Sequence, residues 1–367
     1  MVNKPVYSRQ DRRMISQQRR GYIEWIAQFL VRPLKKSQGL HIDPELVPAP
    51  DPLTWHADQR DSFTDSTMSR LRDCVGLNGD CRSSVLAELA EFHSESLETA
   101  YHKCIHWEQL SIEEWTSADR STPAGQQDFY DSLTSWKYDL AWYAYLQTTG
   151  HAFPQAVAVL KFLEARKISG TLLDFGSGIG LNAQFFNRSS FDVTIADVSR
   201  PLLEYASWRF KRHNDAIKII NLKDAKLPDS TFDVVTAFDV LVHVPDFNAT
   251  AEQLHRTIKP SGWLFANFDT RSRDDASSSH LHNNEFDLDR RVKRAGFVKR
   301  HVIGGFLGCY QRVESDTLIH RVRNSWEGLL APILTVWSLL GRVRWPTPSR
   351  LQKLFALMQR SKIPAPD

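Results

Sequence analysis

Cysteine is scarce and scattered: Cys74, Cys81, Cys104 and Cys309 form no C-x-x-C pair. That spacing excludes a zinc knuckle and a disulfide scaffold, and reduced thiols point to a cytosolic chain. The first residues, MVNKPVYSRQDRRM, contain no apolar stretch of the kind a secretory signal needs. The apolar stretch at 326–343 is interrupted by Glu327 and Pro332 and falls short of a spanning helix. Internal repeats are absent. What remains is 42% hydrophobic, 24% charged and 11% aromatic, which excludes collagenous and wholly disordered chains. At 367 residues there is room for two domains, or for one with a large extension, and for a sizeable core.

The net charge of +3 conceals an uneven distribution. Residues 1–36 set nine Lys/Arg against Asp11 and Glu24, and residues 321–362 set eight against Glu327, so each end carries +7. Residues 37–320 carry −10. Basic ends of this kind dock on the acidic body, or touch an anionic membrane or nucleic acid. In the tail, Trp326, Leu329, Leu330, Ile333, Trp337 and Leu340 share one face, and a second basic amphipathic piece follows. Residues 326–358 are therefore a candidate for peripheral membrane contact on an otherwise cytoplasmic protein, although docking on the body is the favoured expectation.

Along the chain, residues 8–32 read as an amphipathic helix closed by Pro33, and four prolines in 43–52 mark a connector. Residues 83–104 read as one helix with Leu86, Leu89, Leu97, Ala100, Tyr101 and Cys104 on a stripe. His93 lies on that stripe and is expected to be a hydrogen-bonded core histidine. Ser111 and Glu114 form a capping-box pattern predicting a helix start. Residues 128–146 read as a single aromatic-rich helix. From Thr171 the texture changes. The runs LLDF (172–175), VTIAD (193–197), IKIINL (217–222), VVTAF (234–238) and WLFANF (263–268) alternate with helical stretches, which predicts a parallel α/β sheet. The expected division is a helical 1–150, an α/β unit at 151–313 and a basic helical tail at 314–367.

The strongest local signal is Leu172-Leu-Asp-Phe-Gly-Ser-Gly-Ile-Gly180, an apolar strand running into glycines at every second position and then a helix. Glycines there permit a tight turn and a close approach of backbone to ligand. Asp174 at the strand tip suits a cationic ligand better than a pyrophosphate, and the G-x-G-x-G spacing also differs from the dinucleotide pattern. Asp197 ends the second strand, where a carboxylate meets ribose hydroxyls. Asp224 and Ala225 follow the third, where a carboxylate can accept from an exocyclic amine.

With DFGSGIG, ADVS, KDAKLPDSTFDVV, FDVLVHVPD, IKPSGWLF and RAGF in this order, residues 155–313 resemble the class I S-adenosylmethionine (SAM) methyltransferases. The likeness is to the small-molecule, type 11/12-like group that includes quinone-biosynthesis enzymes. It implies a Rossmann-like seven-stranded sheet and SAM as cofactor. It also implies that Asp174 and Gly176 lie near the methionine amino group, that Asp197 binds ribose, that Asp224 and Ala225 flank adenine, and that Ser177, Gly178 and Val198 belong to the same cofactor site. Asp239 would close the site after the fourth strand. In the family's L-E-H-V-P segment this chain has Leu241-Val-His-Val-Pro245. Val242 replaces the glutamate that some relatives use as a metal ligand, so no metal is expected. His243 remains as a candidate general base, or as a residue that packs and caps.

No Asn-Pro-Pro-Tyr-like tetrapeptide follows strand four, which by analogy argues against nucleobase and glutamine-amide nitrogens as acceptors. His280 and His282, in the polar stretch 272–284, are expected to be solvated rather than metal-bound. The aromatics of 128–146 are candidates for a lid over a flat or apolar acceptor, or for packing between the two domains. These features together imply an enzyme that methylates an O or N atom of a small, apolar or aromatic metabolite, with no stable nucleic-acid partner. A membrane-associated lipid or quinone methyltransferase, an RNA methyltransferase and a non-catalytic SAM-binding protein stay as alternatives, and oligomeric state is left open.

Overall fold

The computed structural model describes residues 66–76, 80–119, 122–268, 281–282 and 284–313. The helix expected at 8–32, the connector at 43–52, His280 and the whole tail, including 326–358, lie outside the described residues.

Seven strands form one sheet: β1 (Thr171–Phe175), β2 (Asp192–Asp197), β3 (Lys218–Asn221), β4 (Phe232–Ala237), β5 (Ile258–Ala266), β6 (Phe297–Ile303) and β7 (Leu307–Arg312). Their order is β3-β2-β1-β4-β5-β7-β6. The first five are parallel, while β7 runs antiparallel to both β5 and β6. Strand order reverses between β1 and β4, and in open α/β sheets such a switch point opens a crevice at the carboxyl ends of the strands.

The central strands read as unbroken apolar runs because both faces are covered. Leu172, Val234 and Phe265 point into one core and Leu173, Val235 and Leu264 into the other, all fully buried. The first core is roofed by α1 (Ser66–Val75), α2 (Cys81–His93), α3 (Leu97–Ile105), α6 (Trp136–Thr148), α7 (Gln155–Ala165), α8 (Leu181–Asn187) and α9 (Arg200–His213). The second is covered by α10 (Phe247–Thr257) and α11 (Glu285–Arg294). Two further helices, α4 (Trp107–Ser117) and α5 (Pro123–Ser132), bring Trp115, Phe129, Tyr130 and Leu133 into a small aromatic cluster.

One buried ion pair joins the helical layer to the α/β part. Glu88 on α2 accepts from Arg209 Nε on α9 at 2.7 Å and lies 2.5 Å from His213 Nε2. Arg209 also reaches Gln184 on α8. Burial pushes the Glu88 carboxyl up, but the Arg209 guanidinium and His213 outweigh it and hold it at about 2.

Three helical expectations are corrected. The stretch 83–104 is two helices, because Ser94 takes a left-handed conformation that ends α2 and Ser96 caps α3 by accepting from Thr99 N. Leu97 is consequently 57% exposed rather than on the apolar stripe. His93 stacks on Tyr138 with ring centroids 5.0 Å apart, and its buried Nε2 makes no hydrogen bond among the described residues.

Ser111 is not a cap but sits inside α4, its Oγ accepting from Trp136 Nε1 at 3.2 Å. Glu114 caps a different helix. Its carboxylate accepts from the backbone N–H groups of Thr134 and Ser135 and from both hydroxyls, which breaks 128–146 into α5 and α6. An acidic group there also meets the positive end of the α6 dipole.

Candidate active site

The glycine turn connects β1 to α8 at the switch point. Gly176 and Gly178 have φ of +66° and +54°, a region in which side chains are strained. A Cβ on Gly176 would fall 2.1 Å from Val240 Cγ2, and one on Gly178 would fall 2.5 Å from Leu140 Cδ1. Helix α6 thus lies directly over the turn. The turn is fastened to β2: Gly176 N donates to Ala196 O at 2.7 Å, and Gly178 N donates to Asp197 Oδ2 at 2.8 Å.

Asp174 is 2% exposed and stands in register with Thr236 of β4, whose hydroxyl donates to Asp174 Oδ1 at 2.7 Å. Its Oδ2 is buried and accepts no hydrogen bond among the described residues. Burial pushes this carboxyl up to about 7, Thr236 pulls it back, and the Asp197 charge adds to the rise. Burial also raises Asp197, opposed by the backbone N–H groups of Ser199, Gly178 and Val198. Buried hydroxyl oxygens of Ser177 and Ser199 likewise lack partners among the described residues. Three unsatisfied polar atoms around one turn are a costly arrangement for an isolated fold and a useful one for a polar, cationic ligand.

The remaining residues singled out in the sequence distribute as follows. Val198 packs against the aromatic cluster of α4 and α5. Asp224 and Ala225 share the end of the sheet with Asp197, since Asn221 pairs with Asp197 and accepts from both of their backbone N–H groups. Their side chains are exposed.

Asp239, just past β4, adopts φ of +54°. Its backbone N–H donates to Asn267 Oδ1 at 3.0 Å, Asn267 Nδ2 donates back to Oδ1, and Gln155 Nε2 donates to Oδ2 at 3.3 Å. His243 lies in the turn after β4, its ring 6.0 Å from that of Tyr130 and 5.5 Å from that of Trp136. Val242 is fully buried among apolar neighbours. His282, expected to be solvated, instead packs against Phe247 and hydrogen-bonds to Val244 O at 2.8 Å.

Thr236, Asn267, Gln155 and Leu140 escaped the sequence reading. Asn267 alone had a local signal, a polar residue closing an apolar strand run.

Residues 150–302 match the family described as methyltransferase domain. A ubiquinone biosynthesis O-methyltransferase of Hydrogenovibrio crunogenus is 28% identical over 106 residues, 28% of this chain and 43% of that one. A sterol 24-C-methyltransferase of Aspergillus fumigatus is 26% identical over 181 residues, 43% and 46% of the two chains. Among solved structures, phosphoethanolamine N-methyltransferase 2 of Haemonchus contortus with SAM aligns at a TM-score of 0.39 and 22% identity, covering 47% of this chain and 44% of that one. The chain spans under half the length of these curated relatives. The family match spans less than half of this chain. The seven-stranded mixed sheet, with its switch point between β1 and β4, has the doubly wound, Rossmann-like arrangement.

Proposed function

We propose that this chain transfers a methyl group from SAM to an O or N atom of a small apolar or aromatic acceptor. The observation that carries the reading is Asp174: a buried carboxylate with one oxygen unsatisfied, beside a glycine turn too tight for any Cβ. Bound there, SAM supplies a methyl group on a positively charged sulfur, which is a good leaving group. The residues present fit it. Asp174 Oδ2 accepts from an ammonium, and Ser177 and Ser199 offer hydroxyls that have no other partner among the described residues. Asp197 already receives Gly178 N and Ser199 N, yet a carboxylate has lone pairs left for a ribose hydroxyl. Asp224 and Ala225 are the adenine-side residues in this reading, and Asp239 the residue between cofactor and acceptor.

On the acceptor side, His243 is the base. It takes the proton of an acceptor hydroxyl or amine as that heteroatom bonds to the methyl carbon and the carbon–sulfur bond breaks. Tyr130 and Trp136 pack against the imidazole and give the acceptor side an aromatic wall that excludes water. Residues 128–146 act as the lid, with Leu140 over the turn. No divalent metal enters this scheme. No helix among the described residues is long and apolar enough to cross a membrane. In this reading the protein works in the cytoplasm, and any membrane contact is peripheral.

The test is incubation with SAM labelled on the methyl group and separate lipid, quinone, polar-metabolite and RNA fractions. Label in a small-molecule fraction, with S-adenosylhomocysteine formed, is the expected result. Label confined to RNA, or no turnover with any fraction, overturns the reading.

A further inference from the structure

Helix α5 touches three of the loops that bound the site, and does so within two successive residues. Tyr130 packs against His243 in the turn after β4. Asp131 Oδ1 accepts from the backbone N–H of Arg200, the first residue of α9 after the β2 loop, at 3.2 Å. Asp131 Oδ2 lies 2.9 Å from Lys223 Nζ, which belongs to the loop after β3. Lys223 immediately precedes Asp224 and Ala225, and Arg200 lies two residues after Val198 and three after Asp197. Asp128, one turn earlier on α5, stands 3.6 Å from the same ammonium and reinforces its field. Val198 packs against the cluster that contains Phe129 and Tyr130.

We infer that Asp131 is a positioning residue: it fastens α5 to the ribose-side and adenine-side loops, so that filling the cofactor site also seats the aromatic wall against His243. The inference rests on the SAM reading above. The Lys223 backbone N–H donates to Asn221 Oδ1 at 2.9 Å, which holds this loop on the end of β3, and the ion pair and the Arg200 bond tie that loop and the start of α9 to α5. Both side chains of the pair are partly exposed, at 27% for Asp131 and 23% for Lys223. The pair therefore does little for global stability and responds to ionic strength.

S-Adenosylhomocysteine is the probe, titrated calorimetrically into the full chain and into Asp131→Asn, Lys223→Met and the double variant. Each single change is expected to weaken binding about three- to fivefold, a size appropriate to a partly exposed pair. The double variant should be no weaker than either single one, with melting temperatures within about 2 °C of the parent. Raising salt to 0.5 M should weaken the parent but not the variants. Amide exchange over 126–134 should slow on ligand addition in the parent and not in Asp131→Asn. Because Lys223 is on an exposed loop, Lys223→Met reports on the same pair even if Asp131→Asn folds poorly. Unchanged affinity in Lys223→Met, strictly additive effects, or α5 protection that persists in the variants overturns the latch while leaving SAM binding intact. No binding to the parent overturns the SAM reading and the latch with it.

Discussion

Replacing Asp174 by Asn keeps the shape of the side chain and removes its charge, and the consequences depend on pH in a calculable way. Burial holds the Asp174 carboxyl at about 7 in the folded protein, against an ordinary value of 3.8. Between these values the native state binds the extra proton. Stability therefore falls as pH rises from about 4 to about 7 and is level above that. A shift of this size corresponds to about 4 kcal/mol of strain carried by the ionised, ligand-free protein at pH 8. Asp174→Asn should relieve much of it, so the variant melts higher than the parent at pH 8 and the gap closes near pH 4.

Binding should show the opposite tendency. An ammonium-bearing ligand needs the carboxylate, so the affinity of the parent for S-adenosylhomocysteine should rise about 20-fold from pH 5.5 to 7.5. Calorimetry in two buffers of different ionisation heat should detect close to one proton released per ligand at pH 5.5. Asp174→Asn should bind weakly and without that slope. Parent affinity that is flat across this range, with no proton release, would refute the assignment of Asp174 to a cationic group.

Glu88→Gln leaves Arg209 buried without its counter-charge and should cost about 3 kcal/mol or more, read from the urea midpoint. Because Arg209 and His213 overcome burial and hold Glu88 at about 2, the contribution of the carboxylate is fully present above about pH 4.5 and is lost as pH falls toward 2. Once an acceptor is known, His243→Ala should lower turnover about 10²–10⁴-fold while S-adenosylhomocysteine affinity changes less than twofold. A loss under threefold would leave His243 with packing against Tyr130 and Trp136 as its only role.

Much of the α/β half was legible because its signals are local. Leu172-Leu173, Val234-Val235 and Leu264-Phe265 read as strands since neighbouring residues enter two different cores, and Gly176 and Gly178 announced a turn that no side chain tolerates. The β6–β7 hairpin was not among the runs recognised. Lys299, Arg300 and His301 interrupt its apolar pattern, and Lys299 is tolerated only because it reaches the buried Asp289 at 2.8 Å.

The helical half was harder to read for a related reason. Ser111 and Glu114 have the spacing of a capping box, but tertiary packing turns Glu114 to a helix twenty residues on. Asp239 was placed by resemblance, whereas its partners Asn267 and Gln155 lie 28 and 84 residues away, distances over which periodicity carries no information. The acceptor wall shows the same limit: which aromatics of 128–146 face His243 follows from the break between α5 and α6, and that break is set by Glu114.

The measurement that bears most directly on the central claim is a calorimetric titration of S-adenosylhomocysteine into the parent chain and into Gly178→Val. A valine there is strained at φ of +54° and presses on Leu140 where backbone and ligand should meet. Binding to the parent with one-to-one stoichiometry, and its loss in a Gly178→Val variant that still melts cooperatively, is the predicted outcome. Equal affinity in both proteins, or no binding to the parent, would contradict it.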